Sequence, residues 1–93
     1  MTRQNLRTYR QKVDKIDNKI FSLIRKRTRI VKQMLATKKF KKQIVDHKRI
    51  NEILKKIRSK SLQNGIDPKI TIRIWKSMIW GFVDFQRRNF KKK

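Results

Sequence analysis

The sequence predicts an all-α chain, and two observations support that prediction. The 93 residues include only two Gly and one Pro, so few positions force the backbone out of a helix. The apolar residues recur at every third or fourth position, which is typical of helices that bury one face. A chain of this length is sufficient for one domain with a modest core. We therefore expect a single helical domain over residues 1–93.

The first predicted helix is the longest and covers about residues 6–40. Its apolar residues repeat every seven positions in two series, which are Leu6, Val13, Ile20 and Met34, and Tyr9, Ile16, Leu23 and Ile30. Arg27 is the one cation within this heptad seam. At about 1.5 Å per residue the helix would be roughly 50 Å long, whereas a domain of this size is about 30 Å across. A second copy of the chain is the simplest surface that could cover it.

Two shorter helices follow, and capping residues mark their ends. Asp46 is the predicted N-cap of helix 2, over about residues 46–62. Asn64-Gly65 ends that helix, with Gly65 as the left-handed residue. Asp67-Pro68 begins helix 3, over about residues 68–88, as N-cap and first helical residue.

The predicted buried faces of these helices follow their apolar residues. In helix 2 they are Ile50, Ile53, Leu54, Ile57 and Leu62, and in helix 3 they are Ile70, Ile74, Trp75, Met78, Ile79, Phe82 and Phe90. Gln86 lies in the helix 3 stripe where an apolar residue is expected.

The composition limits the possible functions without choosing among them. The chain has 29 Lys and Arg against 6 Asp and Glu, a net charge of +23, which attracts polyanions and small anions alike. A nucleic-acid binder, a lysine-rich composition without a special role, and a site for a small anionic substrate all remain open. The chain has no Cys, and His47 has no partner for a metal site, so we expect no metal and no cofactor. No apolar run is long enough for a membrane span or a signal peptide, so we expect a cytoplasmic protein.

Arg27 and Gln86 interrupt otherwise apolar helical faces. One interpretation is structural: the Arg27 stem packs while its guanidinium reaches water, and Gln86 fixes helix register by a hydrogen bond. The other is that both line an interhelical pocket for a polar, anionic ligand. Burying an amide without a partner costs about 1–3 kcal/mol, so either interpretation requires a partner for Gln86.

The ordered set of polar residues extends this second interpretation. Its pieces are Arg10-x6-Asp17, Leu23-Ile24-x2-Arg27, Lys38, Asp46-x2-Arg49, Gly65-x-Asp67-Pro68 and Gln86. Together they resemble the all-helical chorismate mutase family, from about Leu6 to Phe90. The resemblance implies an intertwined homodimer of three-helix chains, in which the long first helices extend across both protomers.

The resemblance also implies roles for four residues in converting chorismate to prephenate. Arg10 would bind a substrate carboxylate in the partner's active site, and Arg27 would bind the other carboxylate within its own chain. Lys38 would contact a carboxylate and the ether oxygen of the breaking bond, while Gln86 would donate to that oxygen from the opposite side. The reaction is pericyclic, so positioning and electrostatic stabilisation are the contributions an enzyme can make.

Two positions depart from the usual mutase pattern. By resemblance, Asp46 and Arg49 lie at the hydroxyl end of the substrate, where many mutases also have a Glu at the position of Ile50. Phe82 replaces a small polar residue one turn before Gln86. Both changes make the pocket more apolar and resemble the related isochorismate-pyruvate lyases, which form salicylate on the same fold. We expect a mutase, with the lyase as the alternative.

A nucleic-acid-binding helical dimer is the more distant alternative. The chain contains no recognisable nucleic-acid-binding motif, and five of its eight aromatic residues lie between Trp75 and Phe90, in the region of helix 3. We therefore expect a small dianionic substrate as the partner of the predicted site, with nucleic acid as the more distant alternative.

Overall fold

The computed structural model describes residues 5–91, and these residues confirm the all-α fold. They form three α-helices, α1 (Leu6–Thr37), α2 (His47–Gln63) and α3 (Pro68–Asn89), with a 3-10 turn at Lys41–Gln43 between α1 and α2. No strand occurs within this range. None of the helices in the described range is long and apolar enough to span a lipid bilayer.

The predicted end of the first helix at about residue 40 is three residues too late, because local hydrogen bonds end α1 at Thr37. The amide of Lys38 donates to the Leu35 carbonyl at 3.1 Å, which tightens the last turn. Phe40 is extended, with φ −125° and ψ 140°. The Gln43 side-chain oxygen accepts from the Lys39 and Phe40 amides at 2.8 and 2.9 Å. The Gln43 oxygen thus bonds to two backbone amides that would donate to carbonyls of the preceding turn if the helix continued.

The predicted caps of the shorter helices are confirmed. Asp46 caps α2 by accepting from the Arg49 amide at 3.0 Å. Asp67 caps α3 by accepting from the Lys69 amide at 2.9 Å, with Pro68 as the first helical residue. Gly65 has φ +67°, which is the left-handed conformation that ends a helix without the steric cost of a Cβ atom.

The chain divides into two compact units, residues 1–31 and residues 32–93. The described part of the first unit is the N-terminal portion of α1. Its heptad seam is open: Leu23 is 62% exposed and Ile20, the least exposed of these apolar seam residues, is 48% exposed. This portion of α1 therefore presents an apolar stripe that the single chain leaves uncovered.

The second unit contains the α2–α3 hairpin, whose two helices pack against each other. Ile44, Ile79 and Val83 are buried there. Four apolar residues of the predicted α2 face are half-buried, namely Ile50, Ile53, Leu54 and Ile57. Ser61 is buried as well, and its hydroxyl lies 2.7 Å from the Ile57 carbonyl oxygen and 2.6 Å from Thr71 Oγ1.

Three residues that were predicted to be buried are instead exposed in the single chain: Leu62 at 61%, Ile70 at 56% and Ile74 at 52%. On α2 the residue one turn after Ile57 is Ser61, so Leu62 is rotated about 100° away from the packed face. On α3 the packed face follows Thr71, Trp75 and Ile79, which turns Ile70 and Ile74 outward. The other residues of the predicted α3 face are half-buried or buried, namely Trp75, Met78, Ile79, Phe82 and Phe90.

Candidate active site

Lys38 and Gln86 meet in the second unit, although 48 positions separate them in the sequence. Lys38 is the first residue after α1, and Gln86 lies in the last turn of α3. The Lys38 ammonium Nζ donates to Gln86 Oε1 at 2.7 Å. Gln86 is only 7% exposed, so the amide predicted in the apolar stripe is buried and has a cationic partner.

Two partners of opposite kind determine how the Gln86 amide is oriented. An ammonium can only donate hydrogen bonds and a backbone carbonyl can only accept them. Lys38 therefore faces Gln86 Oε1, and Gln86 Nε2 donates to the Phe82 carbonyl at 3.2 Å. A side-chain amide has two N–H groups and an ammonium has three. After these two contacts, the pair retains one amide and two ammonium N–H groups that can donate to a ligand oxygen.

The electrostatic environment of Lys38 combines two opposing effects. Desolvation by burial lowers the pKa of Lys38, and the negative charge of Asp46 raises it; the net shift is downward. An ammonium that has lost part of its hydration interacts more strongly with an incoming anion than a fully hydrated one does. Lys38 is thus suited to contact a negatively charged oxygen.

Asp46, Arg49 and Ile50 share the first turn of α2. The Asp46 carboxylate is committed to capping the helix, and it retains further lone pairs that could accept from a hydroxyl. The Arg49 guanidinium lies 3.9 Å from Glu52, and both side chains are more than half exposed. Ile50 is half-buried, as is Phe82 on α3. The two departures from the mutase pattern therefore both place partly buried apolar side chains in the second unit.

Arg10 and Arg27 lie on the first unit. Arg10 is exposed and Arg27 is half-buried. Burial lowers the pKa of the Arg27 guanidinium, which stays protonated at neutral pH because arginine titrates far above it. Seventeen residues separate the two arginines, which corresponds to about 25 Å along one helix. Because that distance exceeds the size of a small dianion, these two arginines of one chain cannot both bind the same molecule.

Besides the direct Lys38–Gln86 hydrogen bond, two contacts in the second unit were not predicted from the sequence. One is the hydrogen bond from Gln86 to the Phe82 carbonyl, which depends on the rotamer of Gln86. The other is the contact between the rings of His47 and Trp80, whose centroids are 6.4 Å apart at an angle of 55°. The first follows the i to i−4 geometry of a helix and could be anticipated for an inward-facing Gln. The second joins two helices, and no local sequence signal indicates it.

The chain is all-helical, and Lys38 and Gln86 form a cationic, hydrogen-bonding pair in its second unit. The model of the family chorismate mutase type II matches residues 9–87. Because this match covers most of the chain, the chain belongs to the chorismate mutase type II family. The comparisons with curated proteins and with solved structures give no significant match.

Proposed function

We propose that this chain is a chorismate mutase that converts chorismate to prephenate in a site shared across a homodimer. The observation that carries the proposal is the Lys38–Gln86 contact, a buried amide and a partly desolvated ammonium 2.7 Å apart. The family assignment supports a mutase-type function. The particular reaction and the residue roles below are our inference from these findings.

The proposed rearrangement of chorismate requires hydrogen-bond donors such as those of Lys38 and Gln86. In the rearrangement one C–O bond breaks and one C–C bond forms in a single cyclic movement of electrons, without a nucleophile or a proton transfer. Negative charge grows on the ether oxygen as its bond breaks, so preorganised donors at that oxygen lower the barrier. Lys38 would donate one ammonium N–H to the oxygen and Gln86 its remaining amide N–H. The Phe82 carbonyl and the ammonium would hold that amide in the donating orientation.

The remaining residues would bind and orient the substrate. Arg27 would form a two-pronged contact with one carboxylate of the dianion. Asp46 and Arg49 would contact its hydroxyl end, beside the apolar surface of Ile50 and Phe82. Fixing the compact reactive conformer in this way removes part of the entropic barrier before the reaction begins.

A second copy of the chain would supply the other carboxylate contact. Arg10 lies about 25 Å along α1 from Arg27, so a single small substrate cannot be bound by both arginines of one chain. The uncovered seam of α1, with Leu23 62% exposed, also needs a partner surface. Both observations are accounted for if the α1 helices of two chains pack together and Arg10 of each chain enters the site of the other.

The direct test compares two lysine variants in a chorismate assay. Chorismate consumption is followed by its absorbance, and prephenate is measured after its acid conversion to phenylpyruvate. Loss of one donor to a developing oxyanion typically costs about 100- to 1,000-fold in rate, so we expect Lys38→Ala to lower kcat/KM by that factor. Lys41→Ala is the matched control, because Lys41 is an exposed lysine in the neighbouring 3-10 turn. Turnover by Lys38→Ala equal to that of Lys41→Ala would refute the assignment.

The half-buried Ile50 and Phe82 favour a second candidate, the isochorismate-pyruvate lyase reaction. That reaction is also pericyclic and acts on a nearly identical dianion, so the cationic groups serve both. Feeding isochorismate and measuring salicylate fluorescence, beside the chorismate assay, gives kcat/KM for each substrate. A higher value for isochorismate would make the lyase the primary activity.

A further inference from the structure

Helix α2 has one face that the proposed reaction does not use. Its inner face packs in the hairpin through Ile53, Ile57 and Ser61. A set of exposed polar residues lies beside and opposite this inner face, with Lys60, seven residues after Ile53, at its edge. We call this set the outer face of α2; it comprises Lys48, Glu52, Lys55, Lys56, Ser59, Lys60 and Gln63, all exposed.

The positive charge of this outer face is largely uncompensated. Its single carboxylate, Glu52, is paired with Arg49 at 3.9 Å. Within residues 5–91 none of the four lysines of the outer face has an ion pair. From Lys48 to Lys60 the face extends about 18 Å. A shallow depression on it is lined by Glu52, Lys55, Lys56, Ser59, Lys60 and Gln63, which offers ammonium, hydroxyl and amide donors together.

The C-terminal part of the outer face lies apart from the candidate active site, although Lys48 is next to Arg49 in the first turn of α2. Lys60 follows Asp46 by fourteen residues, or about 21 Å along α2. The residues of the outer face are all exposed, and in the described part of the chain their side chains form no hydrogen bond to α3, the helix that carries Gln86. Attraction of a small substrate to Lys38 therefore does not explain a row of unpaired lysines here.

The chemistry of the outer face selects one kind of partner. It contains no apolar residue that a second copy could cover, and another chain of net charge +23 would be repelled. Protein interfaces are poor in Lys and are enriched in aromatic residues, and the outer face has four Lys and no aromatic residue. Lys, Ser and Gln are side chains that contact nucleic-acid phosphates. We propose that the outer face of α2 binds the phosphate backbone of nucleic acid without reading its sequence.

Two charge-matched triple variants test this proposal. The first, Lys55→Gln, Lys56→Gln and Lys60→Gln, removes three charges from the outer face. The second, Lys15→Gln, Lys19→Gln and Lys26→Gln, removes three from exposed positions of α1. Binding of each protein to a short fluorescein-labelled DNA duplex of random sequence is followed by anisotropy. Far-ultraviolet circular dichroism verifies that each triple variant keeps the helix content of the unmodified chain.

We expect the unmodified chain to bind the duplex with an affinity that falls steeply between about 50 and 200 mM salt. The outer-face variant should lose roughly 100-fold in affinity, and its log–log salt dependence should be shallower by about 2 to 3, as three lost phosphate contacts require. The α1 variant should retain most of the affinity and the slope. Equal losses in the two variants would show that overall charge alone causes binding and would overturn the proposal. Competition by poly-glutamate as effective as that by unlabelled DNA would also overturn it, because the outer face would then bind any polyanion.

Discussion

The N-terminal portion of α1 and the α2–α3 hairpin differ in whether the chain itself covers their apolar residues. Both are amphipathic, but the hairpin covers its apolar residues within the chain, burying Ile79 and Val83 and joining its helices through Ser61 and Thr71. The apolar residues of the α1 seam are about half exposed or more, while Arg27 between them is half-buried. A helix with an uncovered apolar stripe gains most of its stability from a surface outside itself. The hairpin is therefore the self-contained part of the chain, and the proposed homodimer would make α1 the part that depends on a partner.

Mixing two inactive variants tests this dependence with the largest expected effect. Under the proposed shared site, Arg10→Ala and Lys38→Ala each disable every site of their own homodimer. A heterodimer of the two would hold one intact site, built from Lys38 of one chain and Arg10 of the other. An equal mixture should therefore recover about a quarter of the unmodified activity, since half of the dimers are mixed and half of their sites are intact. Sedimentation of differently labelled chains verifies exchange, and exchange without recovered activity would contradict a shared site.

A charge placed in the seam should separate the chains. Ile20→Asp puts a carboxylate at the centre of the expected contact, where burying an unpaired charge costs several kcal/mol. Ser22→Asp makes the same change in charge at an exposed position off the seam. We expect sedimentation equilibrium to find a monomer for Ile20→Asp and a dimer for Ser22→Asp, with activity lost only in the former. Identical association of the two variants would show that the seam is not the contact between chains.

A truncation in the core of the hairpin should lower the stability of the fold without separating the chains. Val83 is 4% exposed, so Val83→Ala should lower the free energy of unfolding by about 1–3 kcal/mol through lost burial and the cavity left behind. The loss should be measurable in urea and should not require dissociation of the chains. The expected contrast is that Val83→Ala leaves a dimer while Ile20→Asp does not. A monomeric Val83→Ala variant would mean that the hairpin also depends on the partner.

Features that depend on neighbouring residues could be predicted from the sequence, whereas contacts between helices could not. Caps depend on neighbouring residues, and the predictions for Asp46, Gly65 and Asp67 are confirmed. The choice of buried residue at the end of α2 depends on another helix. Ser61 is buried because Thr71 lies 2.6 Å from its hydroxyl, and apolar spacing alone selected Leu62 instead.

The residues of the candidate site also differ in how far the sequence alone could predict them. An amide in an apolar stripe marked Gln86 without any knowledge of the fold, because a buried polar group requires a partner. The partner itself, Lys38, was not predicted: the resemblance implied that the two side chains contact a substrate oxygen from opposite sides, whereas in the single chain they bond to each other across 48 positions. The roles of Arg10, Arg27, Asp46 and Arg49 stay predictions, because they concern a substrate and a second chain.

The smallest expected effect is a shift in pH dependence, and it tests whether Asp46 at the start of the hairpin affects the charge of Lys38. The proposed mechanism needs protonated Lys38, so kcat/KM should fall as the pH rises through the pKa of Lys38 in the free enzyme. Burial lowers that pKa, so the fall should begin below the usual range of lysine, while the Asp46 carboxylate opposes the shift. Asp46→Asn removes this opposing charge and keeps an N-cap acceptor, so the alkaline limb should move to lower pH. Asp67→Asn is the control, because it makes the same change at the cap of α3, and its pH profile should match that of the unmodified enzyme. A limb that stays in place in Asp46→Asn would show that Asp46 does not set the charge of Lys38.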